Sequence, residues 1–285
     1  MALPLSRRAA LFALGSTVLL GSCTIASDGK NTPNSASASE GSLKTVTPGK
    51  LTIATGEPAY SPWVENNDPA SGKGFEAAVA YAVAGKLGFA NADVVWVRST
   101  FDAAVAPGAK DWDFNLQQFS ITEERRNAVD FSSPYYTTAQ AVVTLKGSPV
   151  SGATTVAELK SALLGAQTGT TSHRMLTETV APTTAPSVFN NSQDTVQALK
   201  GGQVDAIVVD LPTALYLVAA ELDGGVVVGQ FADTSGGDQF GLVLPKGSPL
   251  TAAVTGAVDA LRTDGTLDSL TKTWLSETVN VPVLS

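Results

Sequence analysis

The sequence predicts an α/β protein made of two units of similar organisation, and three observations predict it. Short apolar runs that read as strands alternate with stretches of helical spacing, first between Leu51 and Arg125 and again between Thr155 and Asp210. Strand, helix, strand, helix, strand is the order of a sheet with parallel strands and crossover helices. The tetrapeptide Lys146-Gly147-Ser148-Pro149 returns as Lys246-Gly247-Ser248-Pro249, each time after an apolar run, which marks two matched strands that each close a crossing region between the units.

The first residues read as an address. Arg7 and Arg8 precede an apolar run from Ala9 to Leu20 and the small pair Gly21-Ser22, the three parts of an export signal over residues 1–22. The run falls short of the roughly 20 residues that span a bilayer as a helix. Cys23, the single cysteine, follows directly, so Leu20-Gly21-Ser22-Cys23 resembles the lipobox of bacterial lipoproteins, in which the cysteine is acylated and becomes the first mature residue. The paired arginines also fit a twin-arginine signal, although Ala10 stands where that motif prefers phenylalanine. Residues 23–49, rich in Ser, Ala, Thr, Asn and Gly, show no periodicity and read as a lipid-anchored flexible tether.

Composition narrows the function. Hydrophobic content of 44% is ample for the core of one large or two small domains, and no later apolar run reaches the length of a membrane span, so a soluble body is expected. A formal charge of −8 argues against nucleic acid as a partner, since phosphate binding needs a basic face. One cysteine excludes an intramolecular disulfide and a cysteine-rich zinc site. His173 is the single histidine, which removes most metal and triad chemistry. No cofactor or metal is expected, and the chain is poor in the side chains catalysis usually employs.

Leu51 to Thr55 is a short strand ending in a loop, Gly56 to Trp63, fixed by Pro58 and Pro62, so Glu57, Tyr60 and Trp63 sit at a strand's carboxyl end. Phe75, Val79, Val83 and Leu87 recur at helical spacing and read as core, with Gly88 as the stop. Val94 to Val97 is a strand; a helix from Phe101 stops at Pro107-Gly108. Trp112 to Gln118 is a strand that runs straight into Ser120-Ile121-Thr122-Glu123, which has capping-box spacing for a helix start. There the free N–H groups attract an anion, and the planar fork of Arg125 is placed to grip a carboxylate, unless it is a solvated surface charge.

Beyond Phe131 the pattern resumes. Ala139 to Leu145 is extended, Thr155 to Glu158 is a capping box for a helix through Leu163, and Gly165 to Ser172 is a strand end leading through glycine into another helix start. Thr170 and Thr171 there present hydroxyls and free N–H groups much as Ser120 does. A helix over 192–200 is stopped by Gly201-Gly202, and a buried-type strand from Gln203 delivers Asp210 at its end, where a carboxylate needs water or a cation. Val226 to Val228 and Phe240 to Leu244 are strands separated by the break Gly236-Gly237, and residues 250–275 carry helical spacing for docking on the first unit.

In open α/β sheets ligands bind beyond the carboxyl ends of strands, where Glu57, Tyr60, Gln117, Ser120, Thr170 and Asp210 all fall. Arg125 with Ser120 and Thr171 suits a carboxylate, Asp210 an ammonium, and Tyr60, Trp63 and Phe101 offer flat apolar walls. An anion grip and a cation grip on opposite lobes describe an α-amino acid.

Tyr60-Ser61-Pro62-Trp63, Gly74-Phe75-Glu76, Ser120-Ile121-Thr122 with Arg125, Val129 to Tyr136, Gly169-Thr170-Thr171, Gly202 to Ala206 with Asp210, and Arg262 to Gly265 together resemble the bacterial extracellular solute-binding proteins of family 3, the polar amino acid receptors of ABC importers. The resemblance implies a two-lobed type II periplasmic-binding-protein fold, each lobe a mixed sheet flanked by helices, joined by a two-strand hinge. Lobe 1 would comprise residues 50–136 and 241–285, and lobe 2 residues 137–240. Arg125, Ser120 and the Thr171 N–H would hold the ligand carboxylate, Asp210 and the Gln118 carbonyl its ammonium, and Tyr60 with Phe101 would sandwich the side chain. Gln117 and Gln118 stand where the family has small hydroxyl residues, and one extra residue precedes Tyr60; both changes touch the side-chain pocket. Glu57, if it points inward, would favour a cationic or polyamide side chain; as a solvated loop residue it would say nothing. His173 reads as a surface helix residue. The implied protein is an exported, monomeric lipoprotein on the outer face of the cytoplasmic membrane. It would bind an amino acid for an ABC permease and its ATPase and would not be an enzyme. The alternative is a cyclohexadienyl dehydratase on the same fold, with Glu57 as the candidate acid.

Overall fold

The computed structural model describes residues 43–232, 236–275 and 280–285. The expected export signal, Cys23 and most of the expected tether lie outside these residues. The tether was expected to run to residue 49, but residues 43–49 lie against the body. Leu43 packs on the core, and the Val46 N–H donates to Asp113 Oδ1 at 2.8 Å. Asp113 is 3% exposed and also takes the Thr52 N–H at 2.7 Å; a carboxylate so buried needs both donors.

The chain starts with β1 (Leu51–Thr55), α1 (Phe75–Lys86), β2 (Val94–Arg98), α2 (Phe101–Val105), β3 (Phe114–Asn115), α3 (Glu123–Arg126) and β4 (Val129–Phe131). It crosses through β5 (Tyr136–Thr138) into β6 (Gln140–Leu145), β7 (Leu164–Gln167), α4 (Thr171–Arg174) and β8 (Ser187–Phe189). Then come α5 (Ser192–Lys200), β9 (Ala206–Asp210), α6 (Leu211–Tyr216) and β10 (Gly225–Phe231). It returns through β11 (Asp238–Phe240) to β12 (Val243–Pro245), α7 (Thr251–Thr263), α8 (Thr266–Trp274) and β13 (Val283–Leu284).

Among the described residues the strands form two mixed sheets, in the orders β2-β1-β3-β12-β4 and β13-β10-β6-β9-β7-β8. In the first, β1 is parallel to β2 and β3, and β12 is antiparallel to β3 and β4. In the second, β7 is parallel to β8 and β9, and β6 is antiparallel to β9 and β10. Between them β5 and β11 pair antiparallel, with Thr138 opposite Asp238 and Tyr136 opposite Phe240. This ribbon is the expected two-strand hinge. The strand predicted over 240–244 is therefore divided, with Phe240 in the hinge, Val243 and Leu244 in the first sheet, and Gly241-Leu242 between them in neither.

The repeated tetrapeptide is one turn used twice, once after each crossing. The Ser148 N–H bonds the Leu145 carbonyl at 3.1 Å and the Ser248 N–H the Pro245 carbonyl at 3.0 Å. Gly147 at φ 88° and Gly247 at φ 72° occupy the position that a type II turn reserves for a residue of positive φ.

Each sheet has its own core. The α1 stripe of Phe75, Val79 and Val83 packs with Leu51 and Ile53 of β1 and with Val254, Val258, Leu261 and Leu267 from the carboxyl-terminal helices, as their spacing predicted. Burying each such side chain contributes about 1.5–3 kcal/mol. That carboxyl-terminal stretch is two helices rather than one, broken at Asp264-Gly265, where Asp264 Oδ1 accepts the Thr266 N–H at 3.0 Å. The assignment of residues through 285 to lobe 1 is corrected by β13, which pairs with β10 of the second sheet. Leu284 is 1% exposed within the second core, and that burial fixes the strand there.

Candidate functional site

Every pocket residue singled out in the sequence lines one cavity of about 210 Å³ between the two sheets. Its walls come from the loop after β1, the segment after β3, α3, the start of α4 and the end of β9.

At one end stands Arg125. The capping-box spacing put the helix start at Ser120, but the N-cap is Thr122, whose Oγ1 accepts the Arg125 N–H at 3.2 Å. Ser120 stays extended because it bridges Phe240 of the hinge, and its hydroxyl lies 3.2 Å from Thr171 Oγ1 of the facing lobe. The two-residue shift turns the Arg125 side chain back over its own loop. Nη1 donates to the Ser120 carbonyl at 2.7 Å and Nη2 to the Gly169 carbonyl at 2.9 Å, so the guanidinium spans both lobes. Each terminal nitrogen carries two hydrogens and keeps one N–H for an anion. The Phe101 ring lies 5.2 Å from the guanidinium carbon and backs onto Phe119 at 4.8 Å. Burial, and secondarily the charge of Arg174, lowers the Arg125 pKa, with Asp238 and Asp210 opposing the shift.

Across from Arg125, Thr170 caps α4, accepting the His173 N–H at 3.1 Å, and Thr171 opens the helix with an N–H that has no intrahelical acceptor. Gly169 at φ 70° makes this approach possible: a Cβ there would stand 2.7 Å from Asp102 Oδ1.

On the same lobe as Thr171, Asp210 closes β9. It sits at the N-cap position of α6 without capping it; its Oδ1 accepts from Gln140 Nε2 at 2.6 Å instead. The same Nε2 lies 2.6 Å from Asp238 Oδ2, which also takes the Thr171 hydroxyl at 2.8 Å. Burial, then the Asp238 charge, pushes the Asp210 carboxyl up to about 7; the Gln140 bond lowers it, Glu76 raises it and Arg125 lowers it. Beside Asp210, Gln118 adopts φ 50°, and Glu76 beneath it is 1% exposed and accepts from Gln118 and the Tyr135 hydroxyl.

The side walls differ from expectation at Trp63. It is 2% exposed and packs edge-on against Phe75, Tyr136 and Phe240, so it supports the wall more than forms it. Its Nε1 donates to Thr213 Oγ1 of the other lobe at 2.9 Å. Tyr60 also reaches across, its hydroxyl 3.4 Å from Asn191 Oδ1 and accepting the Gln193 N–H at 3.3 Å. Glu57 is a half-exposed rim residue paired with Arg98, with Oε2 to Nε at 3.3 Å. Gln117 Nε2 is bonded inward, to the Ser99 carbonyl at 3.1 Å and Asn115 Oδ1 at 3.0 Å.

Sequence reading missed Glu76, Gln140, Asp238 and Thr213. Glu76 had a signal, a carboxylate inside an otherwise apolar helix reading FEAAVAYAVAG. Gln140 and Asp238 had none, since β6–β9 pairing sets Gln140 opposite Asp210 and the hinge pairing brings Asp238 beside them.

The comparisons with known proteins agree with one another. A family model described as bacterial extracellular solute-binding proteins, family 3, matches residues 51–277. The chain is similar to a probable histidine-binding protein of Campylobacter jejuni, 29% identical over 78% of this chain and 84% of that protein. It is similar to the L-cystine-binding protein TcyJ of Escherichia coli (strain K12), 28% identical over 85% and 89%. Among solved structures, an ancestral arginine-binding protein bound to arginine is 32% identical with a TM-score of 0.67, covering 79% of this chain and 98% of that one.

Proposed function

The chain belongs to the bacterial extracellular solute-binding proteins of family 3, and from that premise we propose how its cleft works. The protein binds an α-amino acid outside the cytoplasm and delivers it to an ABC importer. Arg125, with Ser120 and the Thr171 N–H, takes the α-carboxylate; Asp210, with the Gln118 carbonyl, takes the α-ammonium. Tyr60 and Phe101 flank the side chain, Thr170 holds the helix start in place, and Gln117 and Glu57 lie toward the side-chain end. Lobe 1 is read as residues 43–136 and 241–275, lobe 2 as 137–240 with the terminal strand.

One observation carries the reading: Arg125 and Asp210, on opposite lobes, line the same cavity. In an open cleft both charges are hydrated, and in a closed one they need partners. Burying either unpaired costs on the order of 3–5 kcal/mol, so closure is conditional on a zwitterion that supplies both. A permease that docks only the closed form then sees only loaded protein.

The protein is read as a monomeric receptor and not an enzyme. A dehydratase needs a pocket acid free to give up a proton. Glu57, the acid named for that reaction, is a rim residue ion-paired with Arg98 and is not free for that step. The remaining partners are the permease, its ATPase and, through acylated Cys23, the outer face of the cytoplasmic membrane. No helix among the described residues is long and apolar enough to cross it.

Calorimetry on Arg125→Ala and Asp210→Ala tests the site. Each is expected to weaken amino-acid binding at least about 100-fold, the scale of a broken buried pair. Unchanged affinity in both variants rejects the assignment.

A further inference from the structure

The side-chain end of the cavity is closed by groups whose charges cancel. Glu57 brings its own counter-ion: Oε2 faces Arg98 Nε at 3.3 Å, and Oε1 takes Asn67 Nδ2 at 3.4 Å. Arg98 is fixed in turn, with Nη1 on the Gly56 carbonyl and Asn67 Oδ1, both at 2.7 Å, and Nη2 on the Asn67 carbonyl at 2.6 Å. A basic ligand side chain reaching this end finds its one carboxylate already paired and a guanidinium behind it. An unpaired buried cation is costly.

Two amides in the cavity lining, one per lobe, each keep one function unbonded. Gln117 has spent its Nε2 on Ser99 and Asn115, so its Oε1 is the group left for a donor; it lies 3.1 Å from where a Cβ on Gly56 would stand, at the cavity wall. Gln167 has spent its Oε1 on the Ser192 hydroxyl at 2.9 Å, so its Nε2 is the group left for an acceptor. An acceptor on one wall and a donor on the other complement a primary carboxamide, whose NH2 donates and whose carbonyl accepts.

We propose that the cleft selects an α-amino acid with an uncharged carboxamide side chain, glutamine or asparagine, over arginine and lysine. This rests on the amino-acid reading above and adds specificity to it. A site built to hydrogen-bond a polar side chain discriminates strongly, because a wrong occupant leaves its amides unpaired.

The test is calorimetry of the mature chain with glutamine, asparagine, glutamate, histidine, arginine and lysine. A carboxamide is expected to bind at least about tenfold more tightly than either basic amino acid, the worth of one well-made buried hydrogen bond. Any other amino acid binding tightest overturns the carboxamide assignment while leaving the amino-acid reading intact. Heat from none of them overturns both. Gln117→Leu is expected to cost the carboxamide at least about tenfold and alanine, which has no polar side chain to lose, less than about threefold. Equal losses for the two also overturn the proposal. Arg98→Met, which unmasks Glu57, is expected to move the preference toward arginine; a properly folded Arg98→Met protein with an unchanged ranking counts against it.

Discussion

The backbone N–H and the side-chain amide of Gln118 both donate to the carboxylate of Glu76, at 2.7 Å to Oε1 and 2.5 Å to Oε2. This two-point hold keeps a non-glycine residue at φ 50°, a conformation that costs of order 1 kcal/mol and persists only where its surroundings over-determine it. It comes from a helix that also builds the core, so the floor of the cleft is tied to α1 rather than left to its loop.

The burial of Glu76 makes stability depend on pH. Burial pushes the Glu76 carboxyl up to about 7 from 4.5, although its bonds from Tyr135 and Gln118 lower it. Between those values the folded chain keeps a proton that the unfolded chain has released, so raising the pH favours unfolding. From about pH 5.5 to about pH 8 this one group removes on the order of 2 kcal/mol. Ligand-free protein is therefore expected to unfold at lower urea concentration at the higher pH, and Glu76→Gln to flatten the dependence. A Glu76→Gln profile as steep as the parent's would show that the titration lies elsewhere.

Asp210 gives binding the opposite slope. In the closed cleft without ligand, burial and then the Asp238 charge push its carboxyl up to about 7, with Gln140 and Arg125 opposing the shift and Glu76 adding to it. A ligand ammonium favours the ionised form, so binding releases a proton whenever Asp210 starts protonated. Affinity is expected to fall about tenfold from pH 8 to pH 6, and calorimetry near neutrality in buffers of different ionisation enthalpy should register the released proton. Asp210→Asn should bind weakly at every pH in this range; a surviving slope in that variant assigns the proton to another group.

Much of this cleft was legible because strand ends announce themselves. Asp210 follows an apolar run, Arg125 follows Ser120-Ile121-Thr122, and Thr170-Thr171 follow a glycine. What stayed hidden is what tertiary pairing decides. Ser120, with Glu123 three residues on, is the better cap in isolation, and only its bridge to Phe240 makes Thr122 the one used. Trp63 looks like a binding aromatic until Phe75, Tyr136 and Phe240 enclose it. Val283-Leu284 is too short to declare itself a strand, and it is β10 that makes it one.

Cys23 precedes the described residues, at the head of a segment rich in Ser, Ala, Thr, Asn and Gly, and none of the residues proposed for the cleft belongs to that segment. Cys23→Ala is accordingly expected to leave ligand affinity unchanged and to move the protein from the membrane pellet to the supernatant. Continued sedimentation with membranes would sink the lipid anchor.

Closure has contacts of its own besides those offered to the ligand. Trp63 Nε1 on Thr213 Oγ1 and the Tyr60 hydroxyl between Asn191 and the Gln193 N–H join the lobes directly, at 2.9, 3.4 and 3.3 Å. Contacts made only in the closed form add to affinity without touching ligand, because they enlarge the fraction of chains poised to hold it. Thr213→Val keeps the shape of the side chain and removes the acceptor, leaving the largely buried indole N–H unpaired on closure. The expected cost is about 1 kcal/mol, roughly a fivefold loss of affinity, for every amino acid the protein binds. The loss should appear mainly as faster dissociation in stopped-flow measurements. A loss confined to one ligand would instead make Thr213 part of the side-chain pocket and deny the indole its role as a latch.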